Sequence, residues 1–268
     1  MKLILLEWKQ MLRSRWMQMV GVLFTFIFTS IIVIQQMALP ATDTFSRQSA
    51  SFLNLLLFLL PLFILTIGSM GVASDYETKW LALLKTYPLK MRHYIVAKFT
   101  AIVCAFLLLV VLAFGVVLLL GGLLGGVVIP PPLLMITLLT ILIFSAIAVL
   151  VGIIAKTRLY ALALSLVVWS FLLLLISYAL MAVGTVIAGH VLQKITLVVI
   201  HVNPIEWLRF GYLLFANQAS VLGPSYYEFV QFYQTTTGLL VYTLVSILWV
   251  ACPLLFAYIM IRKGGRSA

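Results

Sequence analysis

Long apolar stretches alternate with short polar or charged segments along the whole chain. Six of these stretches are each as long as the roughly 20 residues that an α-helix needs to cross a bilayer. They cover residues 17–39, 52–73, 99–120, 133–155, 159–183 and 237–260. We therefore predict an all-α polytopic membrane protein, in which six transmembrane helices form a single domain over residues 1–268.

The composition excludes several other classes of protein. Of the 268 residues, 65% are hydrophobic and 9% are charged, whereas a soluble domain has about 45–50% apolar and about 25% charged residues. This balance excludes a soluble enzyme, a disordered chain and a nucleic-acid-binding module, although the net charge is +11. Cys104 and Cys252 lie inside apolar stretches, so they indicate neither a disulfide framework nor a zinc site.

The positions of the basic residues predict the orientation in the membrane. Fourteen of the 17 lysines and arginines lie before the first predicted span, between the second and third, between the fourth and fifth, or after the sixth. The other three are Arg47, Lys194 and Arg209. Since basic loops stay on the cytoplasmic side, we expect a multi-pass protein of the inner or plasma membrane with both termini in the cytoplasm.

The first 16 residues read as an amphipathic helix. Leu5, Trp8, Leu12 and Trp16 recur at helical spacing, and Lys2, Lys9 and Arg13 fall on the opposite face. Such a helix lies in the membrane interface, with its cations near the anionic headgroups of the lipids. The alternative is that residues 1–16 simply begin the first span.

The predicted spans contain almost no ionisable side chains. All six acidic residues are expected in the terminal helix or in loops. Ion-coupled carriers and intramembrane enzymes place such groups at membrane depth, so neither class fits, and energy for transport would enter from outside the chain. The three histidines, His93, His190 and His201, show no metal-ligand spacing, and we predict no metal site.

The segment 74–91 carries the most information. Ser74 and Glu77 match a capping box, S-x-x-E, which predicts a helix outside the bilayer from Asp75 to Tyr87, ended by Pro88. One interpretation is an ordinary interfacial loop helix, and the other is a docking element for a cytoplasmic partner. The candidate docking residues are Asp75, Glu77, Lys79, Trp80, Leu83, Leu84 and Pro88.

The segment 184–236 is too long for a simple turn and predicts short external or re-entrant helices. In the run Asn203-Pro204-Ile205-Glu206, asparagine suits the N-cap, proline the first helical position, and glutamate the third residue of a capping box. A helix from Pro204 to about Ala216 would follow. The candidate residues for an external partner or a gate are Asn203, Pro204, Glu206 and Arg209.

This organisation resembles the permeases of ABC-2 type exporters. The segment 74–99 reads SDYETKWLALLKTYPLKMRHYIVAKF, and its acid, leucine-rich turn, proline, basic patch and final lysine follow the order found in that family. The matching residues are Glu77, Leu83, Leu84, Pro88, Arg92 and Lys98. The resemblance implies that residues 1–16 form an elbow helix and that the helix after the second span is a coupling helix, seated in a cleft of an ATPase subunit. It also implies a homodimer of permeases with two ATPases.

The chain has no phosphate-binding loop of the form G-x-x-x-x-G-K-[ST]. The glycine-rich run at 121–126 lacks the lysine and reads as a helix-end turn. We therefore expect a non-catalytic subunit that binds no cofactor, with ATP and Mg used by a separate ATPase chain.

Within that family, the run from Asn203 to Arg209 resembles the NosY-type permease of nitrous-oxide-reductase maturation. The matching residues are Asn203, Pro204, Glu206 and Arg209. This resemblance implies an external β-solenoid partner and a role in copper–sulfur centre assembly. Helix capping alone produces the same four-residue pattern. The alternatives are an exporter of lipids, drugs or lipid-linked polymers, and a membrane scaffold that transports nothing.

Overall fold

The structure is a computed structural model that describes residues 2–38, 44–86, 91–123 and 129–264. In these ranges the regular secondary structure is helical. Pro88 lies outside them, as does the second half of the glycine-rich run at 121–126.

The helices follow one another with short connections. They are α1 (Lys2–Leu12), α2 (Arg15–Ala38), α3 (Thr44–Glu77), α4 (Trp80–Thr86), α5 (Met91–Leu123), α6 (Pro131–Ala155), α7 (Arg158–Ser170), α8 (Ile176–Gly184), α9 (Gly189–Val202), α10 (Pro204–Phe215), α11 (Tyr227–Gln234) and α12 (Thr236–Gly264). A π-helical turn, Phe171–Leu175, joins α7 to α8. Two 3₁₀ turns, Ala219–Leu222 and Pro224–Tyr226, lie between α10 and α11.

Five helical segments among the described residues are long and apolar enough to cross a membrane. They are Ser51–Glu77, Met91–Leu123, Pro131–Ala155, Arg158–Gly184 and Thr236–Arg262. The segment at the first predicted span, Arg15–Ile31 of α2, is apolar but shorter. The chain is thus a multi-pass membrane protein with an all-helical fold.

Helix α6 lies at the centre of the bundle and contacts α3, α5, α7, α10 and α12. Its closest approach is to α3, where a Cβ atom added at Gly152 would lie 2.6 Å from both the Ser69 carbonyl oxygen and the Val72 Cβ. Ser69 Oγ also lies 2.7 Å from Ser165 Oγ on α7. Small residues and paired hydroxyls of this kind let membrane helices pack closely.

The third span begins earlier than the sequence predicts. Helix α5 starts at Met91, so Lys98 lies two turns inside the helix rather than in a loop before it. At the other end, Gly121 and Gly122 continue α5 to Leu123 instead of forming a turn. At the N-terminal end, Tyr94 and Lys98 find partners inside the bundle, which explains why the helix includes them.

Two acidic residues that the sequence places in the loop after the second span, Asp75 and Glu77, belong to a membrane-spanning helix instead. Asp75 and Glu77 form the last turns of α3, Glu206 lies on α10 and Glu228 on α11. Glu7 lies on α1, as predicted, but it is almost completely buried. Helix α3 thus continues past residue 73, the predicted end of the second span.

The terminal amphipathic segment is also divided differently. Helix α1 ends at Leu12, and Trp16 belongs to α2. Leu5 is exposed on the same side as Lys9, whereas the side of α1 facing the bundle carries the buried Glu7. Trp8 and Leu12, from the predicted apolar face, pack against the core, and Glu7 is buried beside them.

Candidate functional site

The end of α3 and the start of α4 form the first part of the site. The predicted helix from Asp75 is wrong, because α3 continues unbroken to Glu77 and a separate helix begins at Trp80. Lys79 causes the break, since its φ of +58° is left-handed and cannot continue an α-helix. The Lys79 carbonyl oxygen then accepts hydrogen bonds from the N–H groups of Ala82 and Leu83, which opens α4.

Glu77 caps a different helix from the one predicted. Its Oε2 accepts a hydrogen bond of 3.1 Å from the backbone N–H of Arg158, the first residue of α7. The Arg158 guanidinium donates to Ser74 Oγ at 2.5 Å and lies 3.8 Å from Glu77 Oε2. A carboxylate at a helix N-terminus is stabilising, so Ser74 and Glu77 connect α3 to α7 instead of forming a capping box.

The candidate docking residues divide into exposed and buried sets. Glu77, Lys79 and Leu83 are exposed, and Trp80 is half-buried against the core. Leu84 is 4% exposed and packs into the bundle. The one exposed leucine of α4 therefore lies beside Lys79, whereas Leu84 anchors the helix and does not belong to its outer surface.

A buried charge cluster, formed by Glu7, Asp75, Lys98 and Tyr94, lies directly behind this turn. Lys98 Nζ is 2.5 Å from Glu7 Oε2 and 2.8 Å from Asp75 Oδ2. The Tyr94 hydroxyl donates to the same Asp75 oxygen at 2.7 Å. Glu7 is 2%, Asp75 5% and Lys98 6% exposed. The charge cluster joins α1, α3 and α5 at one point.

Asp75 is therefore not a docking residue on the surface. Buried charges are costly unless they are paired and hydrogen-bonded, and Asp75 has both a lysine and a tyrosine as partners. Among the described residues, Glu7 has one partner, Lys98, which it shares with Asp75. Burial raises the pKa of Glu7 above its ordinary value of 4.5, and the attraction of Lys98 partly opposes this effect.

The sequence interpretation missed Glu7 and the partner of Lys98. A signal was present, because the chain has only six acidic residues and one of them lies amid apolar residues on a short amphipathic helix. An acid in that position needs a cation. Which cation it meets depends on the packing of α1 against α5, and local spacing does not reveal that contact.

At the opposite end of the bundle, α9 and α10 form a hairpin around Asn203. The predicted N-cap is confirmed: Asn203 Oδ1 accepts a hydrogen bond of 3.0 Å from the N–H of Ile205, with Pro204 in the first helical position. Asn203 Nδ2 also donates at 2.7 Å to the carbonyl oxygen of Leu172, within the π-helical turn. Asn203 is fully buried, so it fixes the hairpin to the helical segment Arg158–Gly184.

The predicted capping box at this helix is wrong. Glu206 does not reach back to the Asn203 N–H, which instead donates to Val199. Both carboxylate oxygens of Glu206 accept from Arg209 Nη1, at 2.8 and 3.1 Å, and Ser177 Oγ donates to Oε1 at 3.3 Å. Glu206 and Arg209 are one turn apart on α10, so they form an ion pair within the helix.

An aromatic cluster packs the hairpin against α11 and α12. Trp207 stacks on Tyr242 with ring centroids 4.6 Å apart, and its Nε1 donates to Ser246 Oγ at 3.0 Å. His201 Nε2 lies 2.7 Å from the Tyr233 hydroxyl, and burial raises the pKa of Tyr233. His201 is a packing residue here, and the described residues contain no group of three histidine, cysteine or acidic side chains that could hold a metal ion.

Comparison with known families decides the class of protein. The family model described as ABC-2 family transporter protein matches residues 1–263. The chain belongs to this family. No curated protein matches the chain.

Membership in the family defines the kind of subunit that this chain forms. An ABC-2 permease is the membrane subunit of an ABC transporter, and its family implies a cytoplasmic ATPase as partner. The permease places an exposed short helix, α4, at the end of a membrane-spanning helix.

Proposed function

We propose that this permease is the transmembrane subunit of an ATP-driven exporter and that α4 is its coupling helix. In this proposal the chain crosses the membrane six times, α1 is the elbow helix, and both termini lie in the cytoplasm. A separate ATPase uses ATP and Mg, and two permease copies work with two ATPases. The observation that carries the proposal is the exposed outer surface of α4, around Lys79 and Leu83. The buried leucines on the other side of α4, which we call the anchor, hold it on the bundle.

The anchor explains how a force on α4 would reach the bundle. Leu81 and Leu84 are each 4% exposed and attach α4 to the core. One turn before α4, Asp75 is paired with Lys98, and Glu77 caps α7. A displacement of α4 would therefore move α3, α5 and α7 together, which suits a shift between two packed arrangements of the spans.

The class of exported substrate is inferred from the apolar character of the contacts between helices. The described helices meet mainly through apolar and small side chains, which suits apolar cargo such as lipids, drugs or lipid-linked polymers. A membrane scaffold remains the alternative, because a docking helix serves a scaffold equally well. Transport of a labelled lipid in vesicles would separate the two.

A NosY-type role in copper–sulfur centre maturation, with an external β-solenoid partner, is the more specific hypothesis. Its support is the run Asn203, Pro204, Glu206 and Arg209. Each of these residues also has a local role in capping or ion pairing at α10. Recovery of a β-solenoid protein with the purified permease would support the hypothesis, and its absence from an otherwise intact complex would contradict it.

Co-purification from the native membrane tests the main proposal. The full chain is tagged, extracted in mild detergent and analysed by mass spectrometry, with a chain that contains a nucleotide-binding P-loop as the expected companion. Leu83→Glu places a charge on the outer surface of α4 and should reduce recovery of the ATPase at least tenfold. Val221→Glu is the matched control, because Val221 is equally apolar and 73% exposed at the hairpin end.

The comparison of the two variants gives a clear decision. Both should fold, since neither side chain is buried. Equal loss of the ATPase in both variants, or recovery of the ATPase in full with Leu83→Glu, would contradict the assignment of α4. Loss with Val221→Glu alone would reverse the proposed orientation.

A further inference from the structure

Two depressions lie near the joint between α1 and α2. The first has a volume of about 640 Å³ and is lined by Leu5, Leu6, Lys9, Gln10, Arg13 and Ser14. The second has a volume of about 620 Å³, and its lining includes Leu12 and Met17. These two residues lie on either side of Arg13 and Ser14, which line the first depression, so both depressions include residues of the joint.

The first depression carries positive charge without a protein counterion. Lys9 and Arg13 are exposed, as is the neighbouring Arg15. The ion pairs found within the described part of the chain involve none of these three side chains. Gln10 and Ser14 add hydrogen-bond donors to the same wall. Cations together with an amide and a hydroxyl suit a phosphate group.

The second depression is apolar and lies between α2 and α5. On α2 it is lined by Gly21, Val22, Thr25 and Phe26, and on α5 by Ala105, Leu108, Leu109 and Leu112. Two polar side chains also line it: the Thr25 hydroxyl donates to the Gly21 carbonyl oxygen at 2.8 Å, and Gln18 Nε2 donates to the Leu12 carbonyl oxygen at 3.4 Å. A groove of this kind suits a hydrocarbon chain.

The level of the joint in the membrane follows from exposed residues of α2. Trp16, Met19, Val22 and Phe26 are exposed and recur at helical spacing, so one face of α2 is apolar and open to lipid from its first turn. The cations at 9, 13 and 15 immediately precede this face. They therefore lie at the boundary where lipid headgroups meet the hydrocarbon region.

We propose that the joint between α1 and α2 binds an anionic phospholipid, with its phosphate at Lys9 and Arg13 and an acyl chain in the groove between α2 and α5. The unpaired cations select the negative headgroup, and the apolar groove selects a lipid over a free phosphate. The opposite side of α1 holds Glu7 against Lys98, so a lipid bound here would contact the same helix that the buried charge cluster fixes to α5.

Native mass spectrometry of the purified full chain in detergent tests this proposal without any ATPase. The chain is titrated with phosphatidylglycerol and phosphatidylethanolamine that carry identical acyl chains. Since each cation near an anionic headgroup is worth about fivefold in affinity, phosphatidylglycerol should bind at least about fivefold more tightly. Arg13→Gln and Lys9→Gln should each lower this preference about fivefold. Lys194→Gln is the control, because it removes an exposed cation from α9.

Two further arms separate the lipid from other occupants. Thr25→Phe fills the groove and should weaken binding of the diacyl lipid about tenfold, and soluble glycerol phosphate should not compete with the lipid. Equal binding of the two lipids to the unmodified chain would overturn the proposal, as would an equal effect of Lys194→Gln. Full competition by glycerol phosphate would show a phosphate site only. If Thr25→Phe changes the ratio of dimer to monomer but leaves lipid binding unchanged, the groove is an interface between two copies of the chain. That result would contradict the lipid proposal.

Discussion

The two ends of this bundle are held together by different forces. At the α4 end, the contacts between α1, α3 and α5 centre on Glu7, Asp75 and Lys98, which are charged and almost fully buried. At the hairpin end, α10 is held by stacked aromatic rings and by the neutral hydrogen bonds of Asn203. The ion pair of that end, Glu206 and Arg209, lies within one helix and is partly exposed.

The difference has a physical consequence. A buried charge that loses its partner destabilises strongly, whereas a partly exposed pair within a helix contributes little. The α4 end therefore has a small number of contacts on which three helices depend. Aromatic packing spreads its stabilisation over many contacts, each of moderate size. We expect substitutions at the two ends to differ accordingly.

Lys98→Met should have the largest effect. It leaves Glu7 and Asp75 buried without a cation, and removal of one member of a buried pair costs about 3–5 kcal/mol. The free energy of unfolding in detergent, followed by circular dichroism during SDS titration, should fall by this amount. The matched control is Arg209→Met, for which we expect less than about 1 kcal/mol. Equal losses would contradict the contrast between the two ends.

Gly211→Ala should come next. A Cβ atom at this position would overlap the Tyr242 hydroxyl, and overpacking a tight core costs about 1–3 kcal/mol. The same SDS titration measures the loss of unfolding free energy. Gly115→Ala on α5 has open space around its Cβ and should leave stability unchanged or slightly raised. If the two alanines behave alike, the close packing of Tyr242 on α10 is wrong.

Asn203→Ala should cost about 1–2 kcal/mol, because it removes the N-cap of α10 and leaves the Leu172 carbonyl oxygen without its donor. Asn203→Ser keeps a capping oxygen but loses the donor to Leu172. Its cost should therefore lie between zero and that of alanine. A serine variant as unstable as the alanine variant would show that the contact with the π-helical turn dominates.

Glu7→Gln should have the smallest effect at neutral pH, below about 1 kcal/mol, because it removes a burial penalty together with an ion pair. Its signature is a change in pH dependence. The folded-state pKa of Glu7 is raised above 4.5, so the folded state binds this proton more tightly than the unfolded state does. The unfolding free energy of the unmodified chain should fall as pH rises from about 4.5 through the folded pKa.

In the glutamine variant, the Glu7 contribution to this fall should disappear. A pH profile from 4 to 8, measured by thermal unfolding in detergent for both chains, provides the check. Superimposable profiles would contradict a raised pKa for Glu7. Asp75→Asn provides a useful comparison, because it removes the other carboxylate that faces Lys98.

Local chemistry explains what the sequence predicted correctly. Apolar length is sufficient to place the central helices, and α6 begins at Pro131 and ends at Ala155, close to the predicted range 133–155. The Asn203 cap was predictable because its partner, the Ile205 N–H, is two residues away. The predicted boundaries of these elements depend on short-range interactions alone.

Long-range pairing explains what the sequence predicted wrongly. Glu77 was expected to complete the capping box of its own helix, but it caps α7, which lies 81 residues further along the chain. Glu7 meets Lys98 across 91 residues. Both carboxylates thus meet partners on helices that are distant in sequence. Such choices depend on helix packing, which spacing does not encode.

Site-specific photocrosslinking tests the central claim most directly. Photoreactive benzoylphenylalanine is placed at position 83 on α4, or at position 221 near the hairpin as the control, and native membranes are irradiated before purification. The account predicts that position 83 crosslinks to an ABC ATPase and that position 221 does not. A crosslink to the ATPase from position 221, or none from position 83 in membranes where the two proteins co-purify, would contradict it.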